Sequence, residues 1–252
     1  MLANPIKYRT CDVSWNGEST KLRSYRRDHI TKALRRGQFY EHDFLSFIAE
    51  RYSAPGLFVD VGAFVGNHAI FFAKHCRAGH VIAFEPFPTT FALMKYNVRL
   101  NALSGSITCV NKAVSDQPGE LKMSVVNKKN RGMNRIDQSG KTPVEVSTLD
   151  QELSDTIPIS FLKIDAEGHG ANVLRGARNL ITLHRPTIAV ELEPDTNGDA
   201  DAPDASDAAN DPVANLMEEF GYVVRSQHNV TPTLIFQHRE TVSGASDLRK
   251  AA

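Results

Sequence analysis

Phe58–Lys74, FVDVGAFVGNHAIFFAK, is the stretch whose reading settles the architecture. An apolar run ends in Asp60, Gly62 and Gly66 follow as D-x-G-x-x-x-G, and a run with helical spacing opens at about Asn67. The reading is strand, tight turn, helix. Gly62 lets the chain turn sharply and lets a ligand approach the backbone. The free N–H groups at the helix start take a carboxylate or another polar group. An acidic residue at the strand end meets an ammonium group directly or through water. Taken alone, the stretch specifies a ligand-binding turn; both glycines equally suit tight helix–strand packing, and Asp60 suits a helix cap.

Working outward, short apolar runs alternate with helical stretches, the pattern of βαβ units around a parallel sheet buried on both faces. Strands are expected over Leu57–Val61, His80–Phe84, Ser106–Val110, Ser160–Ile164 and Pro186–Leu192, with helices near Asn67–Cys76, Thr90–Leu103 and His169–Leu183. Upstream, Ile6–Tyr25 reads as a hairpin around Asn16-Gly17, the pair that type I′ turns favour. Asp28–Arg36 and Glu41–Tyr52 read as short helices. Gly119–Val126 and Val144–Thr148 suggest an inserted hairpin bridged by a polar rim loop, Asn127–Lys141. Asp195–Asp211, acidic and without aromatics, is expected to be a disordered loop. Pro212–Phe220 follows as a helix, and Tyr222–Arg225 with Thr233–Phe236 as closing strands. The expected organisation is an N-terminal hairpin and helical extension over 1–56 packed on the core, a ligand-binding α/β domain over 57–240 and a flexible tail over 241–252.

Lysine plus arginine equals aspartate plus glutamate at 29 each, so no global field points to nucleic acid or an anionic membrane. The N-terminus, MLANPIKYRTCDVSWNGEST, has no apolar h-region, and no window reaches the roughly 18 apolar residues of a membrane span. A cytoplasmic protein is expected. Cys11, Cys76 and Cys109 lack metal-ligand spacing and suit a reducing compartment. His42, His75, His169 and His228 form no H-x-x-x-H or H-E-x-x-H pattern, so no zinc site is indicated.

The second strand ends in Glu85, within VIAFEPFP, about twenty-five residues after Asp60, where a carboxylate accepts hydrogen bonds from both ribose hydroxyls. A dinucleotide shares that ribose acid and is the competing ligand. G-x-G-x-x-G is missing, however: GAFVGN has its glycines four apart, and GHGANV has Val173 where the third glycine belongs. S-adenosylmethionine, with an ammonium and a carboxylate at one end and a ribose at the other, fits Asp60, the helix start and Glu85 together.

Several separated segments then resemble the FkbM-type methyltransferase family: FVDVGAFVGNHAIFFAK, VIAFEPFP, KAVSDQPGELKM, VSTLD followed by FLKIDAEGHGANVLRGA, and RPTIAVELE, together spanning roughly Phe39–Phe236. The resemblance implies a three-layer, Rossmann-like class I methyltransferase fold, with about seven strands and the last antiparallel. It also implies S-adenosylmethionine as methyl donor, and a hydroxyl acceptor on a sugar, glycan or secondary metabolite. Carried onto this chain, Asp60, Gly62, Gly66 and Asn67 surround the methionine part, with Ala63 and His68 beside them. Glu85 with Pro86 meets the ribose, Lys112-Ala113 lies near the adenine, and Asp165 and Glu167 face the reacting methyl group. One departure is that Glu167-Gly168 is followed by His169-Gly170, where the family often has a second carboxylate in EGAE.

Methyl transfer is an in-line displacement and needs a group to accept the hydroxyl proton. Lys163, Asp165 and Glu167 alternate, which places all three on one side if extended geometry continues. Asp165 or Glu167 is the base candidate, and Lys163 tunes the carboxylates or binds the acceptor; an ordinary ion pair between Lys163 and Glu167 that orders the turn is the plainer alternative. An oxygen-ligated Mg²⁺ needs convergent oxygens such as those of Asp165, Glu167 and Glu191, and no metal is expected. The loop Asn127–Arg135, NKKNRGMNR, suits a polar or anionic acceptor. A homodimer is left open. The rival readings are a non-catalytic S-adenosylmethionine-binding accessory subunit and a nucleic-acid or protein methyltransferase; the absence of an N-P-P-Y or D-P-P-Y segment counts against the latter.

Overall fold

The computed structural model describes residues 6–124, 135–136, 140–192, 211–228 and 233–241. Strands β1 (Tyr8–Trp15) and β2 (Glu18–Tyr25) pair antiparallel around Asn16 and Gly17, both at positive φ, the geometry of a type I′ turn. Helices α1 (Ile30–Leu34) and α2 (His42–Arg51) follow. The alternating unit then runs β3 (Leu57–Val61), α3 (Asn67–His75), β4 (His80–Phe84), α4 (Pro88–Leu100) and β5 (Ile107–Val110). A small second sheet is built from β6 (Ala113–Val114), β7 (Gly119–Ser124), β8 (Arg135–Ile136) and β9 (Thr142–Ser147). After α5 (Leu149–Glu152) come β10 (Ile159–Ile164), α6 (Gly170–Arg175), α7 (Arg178–His184) and β11 (Thr187–Glu191). The chain closes with α8 (Pro212–Glu219), β12 (Tyr222–His228) and β13 (Thr233–His238).

The main sheet has seven strands in the order β12-β13-β11-β10-β3-β4-β5, with only β13 antiparallel to its neighbours. All five residues of β3 are buried, because α-helices cover both faces. Side-chain alternation divides the core between those faces. Val59, Val61, Leu162 and Ile164 pack with α6, α7 and α8, whereas Phe58 and Phe161 pack with α2 and α3. The strand order reverses between β3 and β10, and that reversal opens a crevice at the carboxyl ends of the strands. Parallel register aligns Asp60 with Lys163 and Lys163 with Ala189, so the ends of β3, β10 and β11 lie side by side.

The N-terminal extension shares the second of these cores. Val13, Leu22, Leu34 and Phe39 are buried with Phe71 and Phe72 of α3. Asn97 of α4 and Asn101 at its C-cap serve the open edge of β2. Their amide oxygens accept from the backbone N–H of Arg23 and Lys21 at 2.8 and 3.0 Å, and their amide nitrogens donate to the carbonyls of the same two residues. Side chains thereby cover a strand edge that would otherwise be unpaired.

Two expectations change. The helix expected over His169–Leu183 is two helices, broken at Gly176-Ala177. A Cβ on Gly176 would lie 2.0 Å from the Ser115 carbonyl oxygen, and the Asp150 carboxylate accepts from Asn179 N and Leu180 N at 3.0 Å each, starting a new helix there. Asp150→Ala should therefore cost about 1 kcal/mol, the usual worth of a lost N-terminal cap, in urea unfolding. A loss indistinguishable from zero would mean that the cap does not start α7. The inserted hairpin is present as β7 paired with β9, but Ala113-Val114 adds a parallel strand to it through Val146 and Ser147.

The basic rim loop, apart from Arg135-Ile136 and the residues from Gly140 on, lies outside the described residues, as do the acidic stretch 195–210 and the tail beyond Thr241. Asp211 belongs to α8: its carboxylate caps Val213 N at 2.7 Å. Among the described residues no helix is long and apolar enough to cross a membrane.

Candidate active site

The crevice is lined first by the β3–α3 turn. Gly62 sits at φ +80 and donates to Phe84 O at 3.0 Å, and Ala63 donates to the same oxygen at 2.9 Å. A Cβ on Gly62 would lie 1.7 Å from the Asp165 carbonyl oxygen, so the turn after β3 and the end of β10 are in backbone contact. Gly66 sits at φ +85 immediately before α3. Behind this turn Asp60 is fully buried, and among the described residues neither carboxylate oxygen has a hydrogen-bond partner. The Ala69 backbone N–H attracts the carboxylate from outside hydrogen-bond geometry, and Lys163 Nζ stands 3.9 Å from Oδ1. Burial raises the proton affinity of Asp60, with Lys163 and His68 pulling the other way. An unsatisfied buried carboxylate is costly. A ligand that brings positive charge and N–H donors relieves that cost.

Glu85 lies at the end of the adjacent strand, also buried. Its two carboxylate oxygens accept from Phe87 N at 2.8 Å and Phe64 N at 3.0 Å. Burial carries its pKa up to about 8 in spite of those two donors. Each oxygen keeps a lone pair for a further donor. The Asn111 amide donates to the carbonyls of Glu85 and Pro86 at 2.8 and 2.9 Å and so fixes the approach to this end. Lys112 is held by ion pairs of 2.8 Å to Glu145 and to Glu152. Ala113 is buried with Phe87, Met123, Val144 and Val146.

On the adjoining strand β10, Lys163 is buried and donates to Asp165 Oδ2 at 2.9 Å. Burial disfavours its charge, but Asp165 and Asp60 outweigh burial and hold the ammonium firmly protonated. Burial likewise opposes ionisation of Asp165, and the charge and hydrogen bond of Lys163 overcome it, so its pKa is lowered. At the end of β11, burial, and after it the Asp165 charge, pushes Glu191 up to about 9. Among the described residues no group of three or more His, Cys, Asp or Glu side chains is arranged to hold a metal ion.

The N-terminal extension also reaches this site. Asn67 accepts from Tyr40 N and donates to Tyr40 O, both at 3.0 Å, so its amide holds the extension in place. Glu41, at φ +56, pairs with His68 Nε2 at 2.9 Å. Glu41, Glu191, Asp165 and Lys163 all act on the Tyr40 phenol, whose ionisation is suppressed chiefly by burial. Tyr40 and Glu41 carried no signal in the sequence; Glu191 did, as a strand-end acid, but only as one of several oxygens.

The expected alternation of Lys163, Asp165 and Glu167 on one side does not hold. Strand β10 ends at Ile164, and Glu167 adopts φ +41 in a turn with Gly168 that leads to α6. His169, at the N-cap position of α6, is tied to Ser115 Oγ at 2.8 Å, and burial lowers its pKa.

A seven-stranded sheet of this order, with one antiparallel strand and a ligand crevice at the strand-order reversal, is the fold of class I methyltransferases. Residues 60–224 match the methyltransferase FkbM domain, and the chain belongs to that family. A curated relative, the hexuronic acid methyltransferase AglP of Haloferax volcanii, is 24% identical over 143 residues, which cover 56% of this chain and 58% of that protein. Among solved structures, the methyltransferase FkbM of Methylobacillus flagellatus KT superposes with a TM-score of 0.51 at 18% identity, over 74% of this chain and 44% of that one. The chain thus spans about half the length of these two relatives.

Proposed function

We propose that this protein transfers a methyl group from S-adenosylmethionine to a hydroxyl on a sugar, glycan or secondary metabolite. The observation that carries the donor half is Asp60: a fully buried carboxylate with both oxygens unpartnered among the described residues, set behind the Gly62 turn and the first turn of α3. The residues fit the group. Asp60, with Gly62, Ala63, Gly66 and the helix start at Asn67 and His68, forms the pocket for the methionine end. Asp60 supplies the negative charge that an ammonium needs, and the N–H groups of α3 face its carboxylate. Glu85 and Pro86 hold the ribose, with Lys112 and Ala113 bordering the adenine. When bound, the donor supplies an electrophilic methyl carbon on a sulfonium.

The acceptor half rests on family membership and on the name of the Haloferax volcanii relative, a hexuronic acid methyltransferase. The ends of strands β10 and β11 bring the carboxyls of Asp165 and Glu191 beside the donor pocket. Lys163 keeps Asp165 ionised and in place, so Asp165 orients the hydroxyl, with Glu167 at the following turn. No metal is invoked.

Calorimetric titration with S-adenosylmethionine, S-adenosylhomocysteine and NAD tests the donor assignment: the first two should bind and NAD should not. Absence of heat with both of the first two would overturn it. Glu85→Ala should weaken both ligands alike by about 10- to 100-fold, the worth of two hydrogen bonds to one buried carboxyl. Loss confined to one of the two would remove Glu85 from the ribose.

A further inference from the structure

The β3–α3 turn carries the donor pocket, and the N-terminal extension grips that turn at successive residues. Both ends of the Asn67 amide are spent on Tyr40: Oδ1 accepts from Tyr40 N and Nδ2 donates to Tyr40 O, each at 3.0 Å. His68 Nε2 lies 2.9 Å from Glu41 Oε2, and these two side chains are only 7% and 11% exposed. The rings of Tyr40, Phe44 and Phe72 stand 6.5, 6.1 and 6.2 Å from the imidazole, which fixes its orientation. Earlier in the turn, Phe64 lies 5.9 Å from the Tyr25 ring, and Phe64, Val65 and Tyr40 share a small core with Tyr25, Ile30 and Leu93. Phe64, Val65, Asn67 and His68 thus all meet the extension, while Gly62 meets the Asp165 backbone on the other flank.

Two backbone outliers mark the same place. Glu41 sits at φ +56 and Phe64 at φ +49, left-handed conformations that a residue with a side chain adopts only at a cost. Such residues persist where the surroundings over-determine them, and they gather at ligand clamps. Glu41 is held by the Asn67 clamp on the residue before it, by His68, and by Leu45 N, which donates to Glu41 O at 3.0 Å. Phe64 N donates to the Glu85 carboxylate, so the turn that the extension supports also sets the group assigned above to the ribose. A pocket whose lining is locked in advance spares its ligand the cost of ordering it.

We propose that the N-terminal extension is an integral part of the donor site, with Glu41 a positioning residue that acts through His68. Docking of Tyr40 and Glu41 onto Asn67 and His68 preforms the start of α3 for the methionine end, and donor binding and docking stabilise each other. Linkage makes the effect reciprocal. A ligand that needs the docked segment must in turn hold it docked.

This inference rests on the donor reading, and the experiment separates the two. The probes are S-adenosylmethionine and S-adenosylhomocysteine. Hydrogen exchange at Tyr40 N requires its bond to Asn67 to open. Lys21 N, bonded to Asn101 Oδ1 at 3.0 Å beside the C-cap of α4, reports on the extension at a second place. With S-adenosylhomocysteine at about a hundred times its Kd, exchange at Tyr40 should slow by up to about 100-fold, and exchange at Lys21 should not change. Slowing at Tyr40 that does not exceed that at Lys21 overturns the proposal and leaves the donor reading intact. Glu41→Gly removes the carboxylate while relieving the backbone, so stability in urea should change little. Calorimetry should show both ligands binding that variant about 10-fold more weakly, within the usual range of coupling between linked sites. Glu41→Gln, which keeps the shape and a hydrogen-bonding oxygen, should recover part of the loss. Wild-type affinity in Glu41→Gly likewise overturns the proposal alone. If neither ligand binds the wild-type protein, the donor reading falls with it. Should Glu41→Gly fail to fold, the two amides of the wild-type protein decide.

Discussion

Gly62→Ala should cost about 3–5 kcal/mol of stability or prevent folding, the largest effect expected of any single methyl group added to this chain. Two separate penalties meet at this position. The backbone sits at φ +80, where an L side chain loses about 1–2 kcal/mol. The added carbon would also lie 1.7 Å from the Asp165 carbonyl oxygen, a backbone atom held by the Asp165 N–H bond to Val61 O at 3.0 Å. Neither side yields easily, because Gly62 and Ala63 are themselves bonded to Phe84 O. Two other glycines separate the contributions. Gly17, at φ +82 with nothing within 4 Å of an added carbon, carries the conformational penalty alone, so Gly17→Ala should cost about 1–2 kcal/mol. Gly105 has neither penalty, and Gly105→Ala should stay within about 0.5 kcal/mol of wild type. Urea unfolding of the three variants measures the ladder. A Gly62→Ala loss no greater than that of Gly17→Ala would mean that β3 and β10 do not meet at this turn.

That contact also explains which parts of the site were legible in the sequence. Strands β3 and β4 were read to the residue, because burial on both faces turns a central parallel strand into an unbroken apolar run with an abrupt polar end. The same abrupt ends exposed Asp60 and Glu85. What failed depended on partners distant in the chain. Nothing between His169 and Leu183 announces a break, since the cap that divides α6 from α7 comes from Asp150. Tyr40 and Glu41 lie between two short helices with no motif around them. They reach the crevice because the Asn67 amide, 27 residues away, grips the Tyr40 backbone. Glu167 was expected beside Lys163 and Asp165 by strand alternation, but alternation ends where φ turns positive.

Lys163→Met should be the most damaging side-chain substitution in the crevice, at about 3–5 kcal/mol, because it strips the counter-charge from two carboxylates at once. Methionine matches the apolar stem of lysine closely, so packing inside β10 changes little. Asp60 would then be buried with no hydrogen-bond partner and no cation from β10. Asp165 would lose its 2.9 Å donor. The sign of the pH dependence separates charge loss from packing loss. In wild type the depressed Asp165 pKa contributes stability that is present above its unfolded value and lost as pH falls through the folded one. Without Lys163, burial is left as the dominant influence, and both carboxyls prefer the protonated form in the folded state. The folded variant then binds more protons than the unfolded chain, so it gains stability as pH falls towards the ordinary carboxylate range while wild type loses its own contribution. The deficit between the two should accordingly be largest near neutral pH and shrink on acidification. Adding Asp60→Asn to Lys163→Met should recover part of the loss, because a neutral amide replaces one unpaired buried charge. A deficit independent of pH, or a double variant worse than the single one, would assign Lys163 to packing and remove it from the electrostatic framework that holds Asp165 ionised beside Glu191.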